Sequence, residues 1–125
     1  MSDSRPVNLD LTSISLPLSA YASILHRVSA VIIWVGFAAL LAIVGCATQS
    51  EESFNDVVAL LSGNFLVKFC IWGFLTALGY YCAATVKHLV QDFGYCEELE
   101  SGKVISGVAI GAGVVLAVLA GVVVW

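Results

Sequence analysis

Three long apolar stretches, separated by two polar links, dominate the pattern of the chain. The apolar stretches cover about residues 22–47, 65–90 and 104–125. The links between them are polar and acidic, with the sequences TQSEESFND and QDFGYCEELESGK. About 20 apolar residues suffice for a helix to cross the hydrocarbon core of a bilayer. The pattern therefore predicts an all-α membrane protein, with three transmembrane helices in a bundle and residues 1–125 forming a single domain.

Composition supports a membrane location and excludes two other classes. The 125 residues are 60% hydrophobic and 11% charged, and a soluble domain of this size could not bury so much apolar surface. A net charge of -4 with five Lys and Arg residues excludes the clustered basic face of a nucleic-acid-binding protein. The four cysteines form no short-spaced metal motif, and we expect Cys70 and Cys82 to be small core hydrophobes rather than disulfide or metal partners.

The basic residues predict how the helices are oriented. Arg5 and Arg27 flank the N-terminal segment, and Lys87 and Lys103 flank the second link, whereas only Lys68 lies near the first link. Cytoplasmic ends carry the excess of Lys and Arg. We therefore expect a cytoplasmic N-terminus and a periplasmic C-terminus. No Arg-rich presequence precedes the first apolar stretch, which favours a bacterial inner membrane over a mitochondrial one.

The third apolar stretch contains two series of small residues at four-residue spacing. Gly107 and Gly111 form one series, and Gly113, Ala117 and Gly121 form the other. Such spacing allows helix backbones to approach closely in lipid. It is also compatible with the ordinary glycine content of membrane helices. Under either interpretation this is a packing helix rather than a chemical one.

Ionisable residues at one end of the predicted bundle are the candidate functional groups, because charges are costly within a membrane. Ser23, His26 and Arg27 share one helical face through i, i+3 and i+4 spacing. The predicted topology brings Lys87 and His88 to the same membrane depth. This group could bind a small neutral ligand with carbonyl oxygens, or an anionic head group or propionate. It could also be a polar helix start whose arginine reaches the lipid phosphates.

Four segments resemble one known family in the same order. They are RPVNLDL at residues 5–11, SILHRVS at 23–29, KFCIWGFLTALGY at 68–80 and KHLVQDFGY at 87–95. Together they resemble the cytochrome b membrane-anchor subunit of succinate dehydrogenase (complex II). The similarity extends over nearly the whole chain.

This resemblance implies a membrane-anchor domain within a four-subunit enzyme. The partners would be a flavoprotein subunit with FAD, an iron–sulfur subunit with its clusters, and a second small membrane anchor sharing the bundle. Ser23, Ile24 and Arg27 would bind ubiquinone, and His26 and Arg27 would approach a haem b. Hydrogen-bond donors suit this role, since they stabilise negative charge that develops on a quinone oxygen.

One departure from the family concerns the haem ligand. The family has an axial histidine seven residues before the position of His88, and this chain has Tyr81 there. His88, our first choice, or His26 could ligate the iron instead, opposite a histidine of the second anchor. Alternatively, Tyr81 could accompany a changed ligation, or haem could be absent.

Two competing functions remain at this stage. The chain could be a passive structural anchor without redox residues, which would not need the Ser23, His26 and Arg27 face. It could also be a small transporter subunit using Arg27 and His88. The transporter is the least favoured, because the acidic residues lie in the links rather than in the membrane.

Overall fold

The structure, a computed structural model, describes residues 15–125 and is entirely α-helical over that range. Its elements are α1 (Leu18–Ala47), α2 (Glu51–Gly63), α3 (Phe65–Asp92) and α4 (Leu99–Val124). Helices α1, α3 and α4 are each long and apolar enough to cross a membrane. The predicted all-α fold with three spans is confirmed. Arg5 and the RPVNLDL segment lie outside the described residues.

Two of the three spans begin earlier than the apolar stretches that predicted them, whereas α3 begins at Phe65 as predicted. Helix α1 begins at Leu18 rather than near residue 22, and α4 begins at Leu99 rather than near residue 104. Glu100 lies in the first turn of α4, where the positive end of the helix dipole stabilises a carboxylate. Hydropathy therefore marks the membrane-embedded part of each helix, whereas backbone hydrogen bonding extends the helix beyond it.

The first link is a helix, α2, and not the simple polar connection that the sequence predicted. Ser50 caps its N-terminus, because the side chain accepts a hydrogen bond from the Ser53 backbone N–H at 3.0 Å. Glu51 lies in the first turn, at the favourable end of the dipole. Asn64 then separates α2 from α3 and caps α3 by accepting from the Val67 N–H at 3.2 Å. In the sequence, the serine followed by acidic residues was the feature that could have predicted the start of this helix.

Small residues form the contacts between the helices, and large apolar residues face outward. The buried apolar side chains are Ala22, Ala77, Tyr80, Ala84 and Ala109. Trp34, Val35, Val122 and Val123 are each more than 60% exposed, as expected for surfaces covered by lipid. Since lipid tails are as apolar as leucine, close packing rather than hydrophobicity holds such helices together.

The cysteines follow the same arrangement, so the expectation that Cys70 and Cys82 belong to the core was wrong. Both are exposed on the outside of the bundle, and both are free thiols. An apolar stretch in a membrane helix has a lipid-facing side as well as a packed side. Membership of the stretch therefore does not determine burial.

One series of small residues on α4 is the surface that packs against α3. A Cβ atom added to Gly113 would lie 2.7 Å from Tyr80 Cδ2, whereas one added to Gly111 would meet nothing within 4 Å. A Cβ added to Gly107 would lie at an ordinary 3.6 Å from Leu18. The glycine at residue 113 is therefore required for close approach, and the one at residue 111 is not.

The same surface of α4 receives an indole from α3. Trp72 Nε1 donates a hydrogen bond of 2.8 Å to the backbone oxygen of Ala117. A Cβ added to Gly121 would lie 3.5 Å from the same nitrogen. The series of residues 113, 117 and 121 thus packs on α3 along its length.

Candidate functional site

The candidate site lies where α1 begins and α3 ends. These helices are antiparallel: residues early in α1 meet residues late in α3, as in the hydrogen bond from Tyr80 Oη to the Ala22 backbone oxygen. That bond is buried and measures 2.6 Å. It links α3 to the residue immediately before Ser23, and so holds the beginning of α1 at a defined position on α3.

Three aromatic rings meet one helical turn further along α1. The imidazole of His26 stacks on the ring of Tyr81, with centroids 4.3 Å apart and an angle of 10° between the planes. The His88 ring meets His26 edge-on, with centroids 5.0 Å apart and an angle of 63°. The structure therefore brings together His26, His88 and Tyr81, the three residues that the sequence associated with ligation of the haem iron.

A hydroxyl group completes the contact between α1 and α3. Thr85 Oγ1 lies 3.2 Å from Nε2 of His26. The same hydroxyl donates a hydrogen bond of 2.7 Å to the backbone oxygen of Tyr81. His26 is thus held on its face by Tyr81, on its edge by His88 and at one nitrogen by Thr85.

The predicted quinone-binding residues lie on a different side of α1. Ser23 is half-buried, while Ile24 and Arg27 are exposed. Successive residues of a helix are about 100° apart, so His26 faces α3 while Arg27 points away from the contact. The single Ser23, His26 and Arg27 face of the sequence is therefore divided. Its histidine packs within the bundle, and its arginine is free to face a partner or a ligand.

Two residues at this end of α3 have surroundings that sequence reasoning did not predict. Lys87 is only 4% exposed, although it carries a long charged side chain. Thr85 is half-buried and bonded to His26. A lysine within an apolar stretch was a signal for Lys87, but its burial depends on the rotation of α3. The bond of Thr85 depends on α1 and could not be read from the chain.

Within residues 15–125 no three or more His, Cys, Asp or Glu side chains are grouped so that they could hold a metal ion. The arrangement of the site can bind an apolar ring at the outward side of α1 and offer it donors from Ser23 and Arg27. It can also present one imidazole, that of His88, to a metal ion completed by other chains.

The chain has three apolar spans that bury few of their own side chains, and a polar cluster lies at one end of them. These features define a multi-pass membrane subunit that relies on lipid and partner chains. This chain belongs to the succinate dehydrogenase/fumarate reductase transmembrane subunit family, which matches residues 1–121. The family resemblance inferred from the sequence is confirmed.

Two relatives share one name. The succinate dehydrogenase cytochrome b556 subunit of Coxiella burnetii (strain RSA 493 / Nine Mile phase I) is 34% identical over 125 residues, covering 100% of both chains. The succinate dehydrogenase cytochrome b556 subunit of Paracoccus denitrificans is 31% identical over 118 residues, covering 92% of this chain and 88% of the relative. The chain is thus a membrane-embedded subunit of an enzyme complex whose catalytic subunits are other chains.

Proposed function

We propose that this chain is a membrane-anchor subunit of succinate:quinone oxidoreductase that forms part of the ubiquinone site. It docks the flavoprotein and iron–sulfur subunits and shares its bundle with a second small membrane anchor. The observation that carries the proposal is the outward position of Arg27 beside half-buried Ser23, in a member of this family.

The chemistry of the two side chains suits a quinone oxygen. The Ser23 hydroxyl can donate a hydrogen bond, and the Arg27 guanidinium offers several N–H donors. Reduction places negative charge on the quinone oxygens before protons arrive, and fixed donors in a poorly hydrated site stabilise that charge. Exposed Ile24 offers an apolar surface for the quinone ring. The ring would lie between this chain and the iron–sulfur subunit, which delivers the electrons.

Haem b is the second part of the proposal, and the relatives' name, cytochrome b556, supports it. This chain would offer the half-buried imidazole of His88 to the haem iron, and the second anchor would supply a further ligand. Arg27 is available to pair with a propionate. When bound, the haem would store one electron during the two-electron reduction of quinone.

The quinone assignment is tested in the intact complex with Ser23→Ala and Arg27→Leu. Removing one such donor typically lowers kcat by about 10²–10³-fold, and we expect losses of that order in quinone reduction. Succinate oxidation by an artificial acceptor should be retained, because it does not use this site. Lys103→Leu, which removes an exposed cation at the same end of the bundle, is the matched control. Unchanged quinone reduction in both site variants would contradict the assignment.

The haem assignment is tested by a dithionite-reduced minus oxidised spectrum with pyridine haemochrome quantitation. We expect one b-type haem per complex, and its loss or a shifted spectrum in His88→Leu. Tyr81→Phe is the control, since it keeps the ring that stacks on His26 and removes only the hydroxyl. Absence of haem with intact quinone reduction would refute the haem assignment and leave the quinone site standing.

We further propose a bacterial inner membrane, with the N-terminus in the cytoplasm and the C-terminus in the periplasm. What supports the orientation is the antiparallel arrangement, because the ends of the spans near Arg27, Lys87 and Lys103 then share one side. Reporter fusions after Trp125 test it. A periplasmic reporter should be active there, and an active cytoplasmic reporter would contradict the orientation.

A further inference from the structure

An apolar groove opens between α1 and α3 at the end of the bundle opposite the candidate site. Its volume is about 590 Å³, which is within the range of sites that hold small ligands. Helix α1 contributes Ala39, Leu40 and Ile43 to its wall, and α3 contributes Val67 and Ile71 among others. No charged residue lines the groove. Its occupant must therefore be a hydrocarbon.

The groove is closed at both ends along the helices. At the inner end α1 and α3 touch, because a Cβ atom added to Gly36 would collide with the Phe74 ring. At the outer end Leu61 of α2 contributes to the wall. The lining covers residues 36–43 of α1 and 66–75 of α3, about 10 and 14 Å at 1.5 Å per residue. The groove is thus about as deep as one leaflet, since the whole hydrocarbon core is about 30 Å thick.

This depth favours an acyl chain over a helix of another subunit. A transmembrane helix crosses the full hydrocarbon core, and in this groove it would have to pass α2. An acyl chain belongs to a single leaflet and can enter from the side. The side of the groove is open, because Leu40 is 43% exposed and Leu66 is 68% exposed.

Helix α2 places the outer end of the groove at the depth of the lipid head groups. It carries the exposed acidic residues Glu51, Glu52 and Asp56, and it also exposes the apolar side chains of Phe54 and Val58. A helix with both charged and apolar surfaces lies in the membrane interface. A lipid whose chain fills the groove therefore has its head group beside α2.

The charges at this end of the bundle select the type of head group. Lys68, which follows the groove residue Val67, is half-buried, and its long apolar stem allows the ammonium to reach a phosphate at the interface. Three carboxylates on α2 outnumber this single cation, so an anionic head group would be repelled. A zwitterionic head group with an ammonium matches both signs of charge.

We infer that the groove between α1, α2 and α3 is a binding site for one acyl chain of a phospholipid with a zwitterionic, amine-bearing head group. Lys68 contacts the phosphate, and the carboxylates of α2 face the ammonium. The inference does not depend on the proposed quinone site, which lies at the other end of the spans.

The acyl-chain site is tested by titrating the delipidated, intact complex with palmitoyl-oleoyl phosphatidylethanolamine in native mass spectrometry. Ala39→Phe fills the groove, and we expect it to weaken binding at least about tenfold, the effect of losing roughly two buried methylene groups. Ala38→Phe is the matched control, because Ala38 is exposed on the same helix and does not line the groove. It should stay within about twofold of wild type. Equal effects of the two variants would overturn the inference.

The head-group preference is tested by the same titration with phosphatidylglycerol, which is anionic. Wild type should bind phosphatidylethanolamine about fivefold more tightly, and Lys68→Gln should weaken the binding of both lipids about fivefold, the effect of one basic residue near a membrane surface. Replacing the three α2 carboxylates together, by Glu51→Gln, Glu52→Gln and Asp56→Asn, should abolish the preference. Equal binding of the two lipids by wild type would overturn the assignment of the head group.

A photoreactive residue identifies the occupant of the groove in native membranes, without delipidation. Leu40→p-benzoylphenylalanine places the probe in the wall of the groove. We expect cross-links to phosphatidylethanolamine. Cross-links to a second membrane subunit in place of lipid would overturn the inference, even if Ala39→Phe failed to assemble. Quinone reduction should be retained in Ala39→Phe, so failure of the lipid site and failure of the quinone site are distinguishable.

Discussion

Gly113→Ala should weaken the packing of α4 on α3 because Tyr80 already occupies the space. The added Cβ atom would lie 2.7 Å from Tyr80 Cδ2, 3.3 Å from its Cβ and 3.4 Å from its Cγ. Aromatic rings can often turn away from such a contact. This ring is restrained, since its hydroxyl donates the buried 2.6 Å bond to the Ala22 backbone oxygen.

The size of the effect follows from three contributions. Overpacking a close contact costs about 1–3 kcal/mol. Loss of the Tyr80 bond would add about 0.6 kcal/mol, the average for interhelical hydrogen bonds in a membrane protein. The better helix propensity of alanine offsets up to about 1 kcal/mol. We therefore expect the free energy of unfolding to fall by about 1–2 kcal/mol, a factor of roughly 5–30 in the equilibrium.

The assay is unfolding of the intact complex in mixed micelles by increasing SDS, followed by tryptophan fluorescence. Gly111→Ala is the matched control, because it lies on the same helix and its Cβ would meet nothing within 4 Å. The control should change the free energy of unfolding by less than about 0.5 kcal/mol, as for surface substitutions generally. Equal effects of Gly113→Ala and Gly111→Ala would refute the packing argument.

A double variant tests the role of the hydroxyl directly. Tyr80→Phe frees the ring from Ala22, so it should relieve part of the strain that Gly113→Ala introduces. The two changes should then be non-additive by at least about 0.5 kcal/mol, as expected for residues in contact. Strict additivity would mean that the hydrogen bond does not restrain the ring.

Three further changes test the packing elsewhere, each by the same SDS unfolding assay. Trp72→Phe removes the 2.8 Å bond to the Ala117 backbone oxygen and should cost about 1 kcal/mol, and an unchanged stability would contradict a role for that bond. Gly36→Ala places a Cβ atom against the Phe74 ring and should cost about 1–3 kcal/mol, with relief in a Phe74→Leu background as the check. Thr76→Val removes a buried hydroxyl that has no hydrogen-bond partner within residues 15–125, so stability should be unchanged or increased, and a marked loss would reveal a partner.

The membrane character of the chain could be predicted from its sequence because hydropathy is a local property. A run of apolar residues long enough to cross the bilayer is visible without knowing any contact. The three spans at α1, α3 and α4 were predicted in this way, and they occur as helices. Family membership was likewise accessible, since the SILHRVS and KHLVQDFGY segments place polar residues at unusual positions within apolar surroundings.

Which side of each helix faces the bundle could not be predicted, because lipid and protein interior are similarly apolar. Cys70 was expected inside and lies outside, whereas Lys87 is buried despite its charge. For the same reason the sequence could not show that Gly113, and not Gly111, is the residue in close contact with α3. Only the rotation of one helix against another decides these points, and that rotation depends on packing rather than on hydropathy.

The candidate site was likewise partly predictable from the sequence and partly determined by the tertiary structure. The residue types and spacing of Ser23, His26 and Arg27 were sufficient to predict a candidate site at one end of the bundle. Only the tertiary structure separated them, by turning His26 into contact with Tyr81 and Thr85 on another helix while Arg27 stayed exposed. A hydrogen bond or a ring stack between helices requires that the two helices lie at a particular distance and rotation relative to each other. The sequence of a single segment does not contain that information.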